Sequence, residues 1–140
     1  MTKRGTLRTI ASVASLVMSA SSLGVFSPAT AATYNGTSGT IDCSVSGTIT
    51  IANNVVMTHT NCSGSVEIPA GVTQIEDSAF EYAPSLRTVT FQFGSQLTRI
   101  GYYSFSFAES LTKIDIPASV TSIDDLALLQ AHGWDIQIHR

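Results

Sequence analysis

The chain has 140 residues, with seven Lys and Arg against ten Asp and Glu and only 12% charged residues in all. That length fits one domain, near the lower limit for a self-sufficient core once a leader is removed. A net charge of −3 with no basic face excludes a nucleic-acid binder, which must displace counterions from phosphates.

The first eight residues, MTKRGTLR, carry Lys3, Arg4 and Arg8 and no acid. An uncharged run over residues 9–26, rich in Ala, Val, Leu and Ser, leads to Ser27-Pro28-Ala29-Thr30-Ala31-Ala32. Pro28 breaks any helix, and the small Ala29 and Ala31 fit a signal peptidase, so residues 1–31 are expected to be a secretory signal cleaved after Ala31 or Ala32. The competing reading is an uncleaved anchor. The run approaches a spanning length, but its many Ser and Thr weaken it as a permanent span. Cleavage leaves Arg87, Arg99, Lys113 and Arg140 against ten acids, a net of −6. A released or surface-held chain without stable membrane insertion is expected.

Residues 32–65 are small and polar. Ile41, Cys43 and Val45, then Ile49 and Ile51, alternate with polar neighbours, the period of two that places apolar side chains on one strand face. Asn53-Asn54 interrupts the pattern, and Asn tolerates positive φ, so a hairpin turn is expected there. This segment is taken as an N-terminal β cap. In an oxidising compartment Cys43 and Cys62 are expected to close as a disulfide tying its start to its end, worth ~3 kcal/mol on the chain-entropy model. Metal binding is the alternative, but with His59 the pair offers three ligands at irregular spacing, short of the usual four of a structural zinc.

From residue 66 to 130 the sequence repeats itself. Ile75, Ala79, Phe80, Leu86, Val89 and Phe91 recur 25 residues later as Ile100, Ser104, Phe105, Leu111, Ile114 and Ile116. Ile123, Ala127 and Leu128 follow at a spacing of 23, because IPASVTSI is two residues shorter than FQFGSQLTRI. Apolar residues fixed at such a period mark a solenoid in which each coil buries its edge against the next. Pro69 and Pro117 are expected to end their strands by removing a donor.

Beyond the repeat, Ser122-Ile-Asp-Asp125 has the form of a capping box, and Gly133 suits a left-handed helix stop. Trp134, Ile136 and Ile138 alternate as a final strand would. Residues 131–140 therefore complete a helix-strand cap.

Ile68-Pro69-x-x-Val72-x-x-Ile75-x-x-x-Ala79-Phe80-x-x-x-x-x-Leu86 and Ile116-Pro117-x-x-Val120-x-x-Ile123-x-x-x-Ala127-Leu128 resemble the BspA-like leucine-rich repeat of surface and secreted, mostly bacterial, proteins. The resemblance implies a mainly β, right-handed LRR-type solenoid of two to three coils with short helical turns. It also implies adhesive or recognition roles without catalysis. The chain departs from the family where Ala83 and Ala108 replace a frequent Cys, and where the Gly after the VTxI isoleucine survives only as Gly101.

No catalytic constellation stands out. His59, His132 and His139 are the only histidines, no Gly-x-Ser-x-Gly elbow occurs, and Glu76-Asp77 and Asp124-Asp125 sit in no ligand loop, so they are taken as a solvated edge. No metal or cofactor is implied. The candidate binding surface is the outward residues of the strands, Glu67, Thr90 and Asp115 in one column and Ser65, Thr88 and Lys113 in another. Tyr82, Tyr102, Tyr103 and Phe107 join it at variable positions near the Ala-Phe turn, where a plain repeat needs no aromatic. A monomeric, secreted, non-enzymatic module recognising a protein or glycan is the leading expectation. A short structural fragment of a larger surface protein, without its own ligand, comes second, and an extracellular hydrolase third.

Overall fold

The computed structural model describes residues 33–131 and 135–138. The expected signal segment and the positions of His132, Gly133, Trp134 and His139 lie outside the described residues.

Strands β1 (Gly39–Asp42), β2 (Ser46–Ala52) and β3 (Val55–Ile68) form an antiparallel meander. Ile49 and Ile51 point inward and are buried, while Thr48 and Thr50 between and beside them stay partly exposed. The β2–β3 hairpin turns on Asn53 and Asn54 at φ 50° and 64°, the paired left-handed conformation of a tight two-residue turn. Cys43 and Cys62 are bonded, with Cα atoms 5.4 Å apart and both side chains buried. The bridge ties the end of β1 to the middle of β3 and takes up both thiols, which removes the metal alternative.

β3 is the pivot of the fold. Its first half pairs in parallel with β4 (Gln74–Ile75), placing Val56 beside Ile75. Its second half pairs in parallel with β5 (Leu86–Phe91), placing Val66 beside Val89 and Ile68 beside Phe91. The pattern repeats through β6 (Arg99–Ile100) and β7 (Lys113–Ile116), then through β8 (Ser122–Ile123) and β9 (Asp135–Ile138). The strand order β8-β6-β4-β3-β5-β7-β9 is a β-solenoid of about three turns, with a stack of short strands on one side and a stack of longer ones on the other. β2 covers the open edge of β3, so the meander closes the first coil.

The predicted repeat positions form the core. Ile75 and Ile100 pair in register, as do Val89 and Ile114, and all four are buried with Leu86, Leu111, Phe80 and Phe105. Pro69 and Pro117 follow directly on β3 and β7, where the ladder stops.

The turns that join short to long strands stack as well. Ser78, Tyr103 and Leu126 make one column of left-handed residues, and Tyr82, Phe107 and Gln130 make another; Asn61 holds the matching place in β3. Amides of one turn donate to carbonyls of the next, Phe80 N to Ser104 O at 2.7 Å and Phe105 N to Ala127 O at 2.8 Å. Buried turn backbone is thereby satisfied without a helix.

The C-terminal region corrects one expectation. Residues 125–130 are the third copy of these turns, and no helix occurs among the described residues. Ser122 is no N-cap: it lies in β8 beside Arg99, and its hydroxyl bonds Asp124 Oδ1 at 3.1 Å. The register that places Ile123 under Ile100 fixes this segment as strand and overrides the local capping-box pattern. β9 pairs with β7 in parallel, Ile136 beside Ile114.

Candidate binding surface

Alternation along the long strands turns Val66 and Ile68, Val89, and Ile114 and Ile116 into the core and their neighbours outward. Ser65, Thr88 and Lys113 are register partners in successive strands, and so are Glu67 and Thr90. Asp115 continues that second column, one residue beyond the Val89–Ile114 pair. The five predicted strand residues Glu67, Thr88, Thr90, Lys113 and Asp115 therefore share one face. Lys113 Nζ lies 3.0 Å from Asp115 Oδ2, and Gln92 Nε2 donates to Glu67 Oε2 at 3.4 Å. A part-exposed ion pair of this kind contributes at most about 1 kcal/mol. Such groups can exchange these partners for those of a ligand.

The four predicted aromatics form two separate pairs. Tyr82 and Phe107 stack with ring centroids 4.9 Å apart and planes 3° from parallel, and Tyr82 is 63% exposed. Tyr102 and Tyr103 meet edge to face at 4.2 Å. The hydrogen bond with Tyr103, followed by partial desolvation, holds the Tyr102 phenol above its ordinary pKa. The first pair is an external copy of an internal one, since Phe80 and Phe105, two residues earlier in the same turns, stack at 5.0 Å in the core.

On the short-strand side Thr73, Thr98 and Thr121 form the expected column. Each hydroxyl donates to a carbonyl of the preceding coil, Asn54 O at 3.3 Å, Thr73 O at 3.1 Å and Thr98 O at 3.2 Å. Their hydroxyls hold coils together.

Three features escaped the sequence reading. Arg99 reaches both Asp77, at 2.7 Å, and Asp124, so acids taken as a solvated edge clamp three coils around one guanidinium. The Arg99 hydrogen bond, with a second from the Tyr102 amide, holds the Asp77 carboxyl below its ordinary pKa, and hydrogen bonds to Asp124 first and then to Asp77 raise the Arg99 guanidinium. The separation of 22 residues between Asp77 and Arg99 hid the triad, because it differs from the repeat period. Phe93, on the two-residue insertion, is fully exposed beside an open groove lined by Phe91, Asp115 and Pro117. The insertion length was visible, but its apolar tip drew no notice. Finally, a small pocket of about 230 Å³ opens beside Tyr82, Asn61 and His59.

Among the described residues no three His, Cys, Asp or Glu side chains converge as a metal site would need. His59 Nδ1 lies 3.0 Å from Ala79 O, and since a carbonyl only accepts, the ring donates there. That bond and its stacking on Phe80, at 5.9 Å, give His59 a place in the core ladder.

With this geometry in view, comparison with known families is decisive. The sequence profile of the BspA type leucine rich repeat region matches residues 34–136 in six copies. The chain belongs to the BspA-type leucine-rich-repeat family. The match to these BspA-type repeats begins well before residue 66, where the repeat first becomes legible, and takes in β1 to β3. No curated protein and no solved structure matches the chain significantly. BspA-type repeats are interaction modules, typical of surface and secreted proteins. The buried Cys43–Cys62 bond fits an oxidising compartment. Among the described residues no helix is long and apolar enough to cross a membrane.

Proposed function

We propose that the chain is an exported, non-enzymatic recognition module that binds a protein or glycan through the outward long-strand face and the adjoining Tyr82–Phe107 stack. The observation that carries this reading is the stack itself. Two large aromatic side chains repeat in register on the outside of consecutive turns, one of them 63% exposed, although the core already has its own ladder. Rigid, exposed aromatics beside mixed-charge polar columns are the chemistry of a recognition surface. Stacking between coils fixes both groups before any ligand arrives, so little conformational entropy is lost on binding.

Asp77 and Asp124 are engaged by Arg99, and His59 Nδ1 by Ala79 O, so these groups serve the fold. The test is a screen of the purified chain against glycan arrays and against host and neighbouring bacterial cell surfaces. A saturable ligand is the expected result; no binding to any surface would overturn the reading.

A second reading has its own support. Ile75 and Ile100 are fully buried, whereas Ile123, the third in their column, is 39% exposed and Leu126 beside it 42%. An apolar end of this kind suits a structural unit covered by another part of a larger surface assembly. In that case the chain would be held by its third coil and would need no ligand on its long-strand face.

A further inference from the structure

The two aromatic ladders differ in length. The inner one has three rungs, His59, Phe80 and Phe105, one from each of three successive coils. Two residues further along each coil stand Asn61, Tyr82 and Phe107, all with left-handed φ between 48° and 56°. The outer ladder therefore has rings in only two places. Phe107 covers one face of Tyr82, and the other face looks toward the coil of β3, where the short Asn61 stands in place of a ring.

The place of that third rung is the pocket of about 230 Å³. Tyr82, Asn61 and His59 all line it. Ser46, Ser63 and Ser85 line it as well, beside the apolar Ala83 and Pro84. No Asp, Glu, Lys or Arg contributes to the lining.

We propose that the open third place of the outer ladder, against the free face of Tyr82, is a binding subsite for one pyranose ring of a neutral glycan. This deepens the recognition reading above and rests on it. The volume suits one ring. A pyranose has a face of C–H bonds that packs on an aromatic ring, and an edge of hydroxyls that both donate and accept. Serine hydroxyls and a carboxamide also do both, so they can match that edge without charge. His59 adds one more polar atom: Nδ1 is committed to Ala79 O, which leaves Nε2 for a ligand. An aromatic ligand would fill the same space but leave the three serines and Asn61 unpaired, at a cost for each polar group removed from water. An anionic ligand would find no cation in the lining.

The test is a titration of the purified full chain, followed by NMR, with methyl glucoside, methyl galactoside, methyl mannoside and N-acetylglucosamine, and with indole as the aromatic comparison. At least one sugar is expected to bind in the millimolar range and to shift the Tyr82 ring signals. Tyr82→Ala should weaken that sugar at least tenfold, and Asn61→Ala should weaken it less. Phe93→Ala, on the exposed insertion away from the pocket, should leave it unchanged. A melting curve of each variant separates lost binding from lost folding, and Tyr82→Phe should retain binding because it keeps the ring face. No sugar bound at tens of millimolar, binding unaffected by Tyr82→Ala, or indole bound more tightly than every sugar would each overturn the subsite. If the chain retains a protein or cell-surface ligand while the subsite fails, the recognition reading stands and only this inference falls.

Discussion

The ring of Phe80 lies parallel to that of Phe105, with centroids 5.0 Å apart and planes 6° from each other, across two coils separated by 25 residues. Both side chains are fully buried, and each turn's backbone is bonded to the turn of the neighbouring coil. This contact transmits the repeat from one coil to the next, and the external Tyr82–Phe107 pair copies it two residues later.

Truncation at the centre of this ladder should be severe. Phe105→Ala removes a buried ring and leaves a cavity, for a loss of about 3 to 5 kcal/mol. Phe105→Leu should cost roughly half as much or less, because the third coil already uses Leu128 at this place. Chemical denaturation of both variants checks the order, and equal losses would mean that ring stacking matters less than claimed.

Gly101 is the only place where the chain keeps the family's glycine after the isoleucine, and the structure gives the reason. A Cβ there would lie 2.6 Å from Asp77 Oδ1 and 2.7 Å from Asp77 N. Gly101→Ala should cost about 1 to 3 kcal/mol, since backbone has to move. It should also disrupt the bond from Tyr102 N to Asp77 Oδ1. A variant with wild-type stability would contradict this packing.

Arg99 links stability to acid pH. Its hydrogen bond holds the Asp77 carboxyl below its ordinary value, so between the folded and unfolded values the unfolded chain binds more protons. The stabilisation from Asp77 is therefore present above the usual carboxylate range and is lost as pH falls through the depressed folded value. Wild type and Asp77→Asn should converge in stability toward low pH and differ at neutral pH. An NMR titration should show the Asp77 midpoint rising toward its ordinary value in Arg99→Met; an unmoved midpoint would contradict the assignment. Both side chains are partly exposed, so added salt should reduce the effect.

The Cys43–Cys62 bond closes a loop between residues 19 apart in a domain with a small core. Its removal should cost ~3 kcal/mol, which lowers Tm by roughly 10 °C or more for a domain of this size. Calorimetry with and without reductant measures this, and an unchanged Tm would remove the structural role assigned to the bridge.

Much of the fold was legible because a solenoid writes its contacts into the sequence as a period. Ile75, Ile100 and Ile123 stand 25 and 23 residues apart, and the structure pairs them in register. The Asn53-Asn54 hairpin was legible for a local reason, the tolerance of Asn for positive φ. The capping box at Ser122 misled for the opposite reason, since a local pattern met a column that already required a strand there. The candidate surface was half legible. The outward columns follow from alternation, but the pairing of Tyr82 with Phe107 and not with Tyr102 depends on left-handed backbone that no side chain announces. The Asp77–Arg99 contact and the pocket beside Tyr82 join residues at separations outside the period, whereas Arg99–Asp124 keeps it, so only the folded chain completes the triad.

The central claim is that the long-strand face and the outer ladder recognise a ligand. It is tested most directly by the affinity of the chain for the surface that retains it, measured for wild type and for a variant carrying Tyr82→Ala, Phe107→Ala, Glu67→Ala and Lys113→Ala. The account predicts at least a tenfold loss of affinity in a variant whose melting curve still shows a cooperative fold. Undiminished binding by such a folded variant would contradict it.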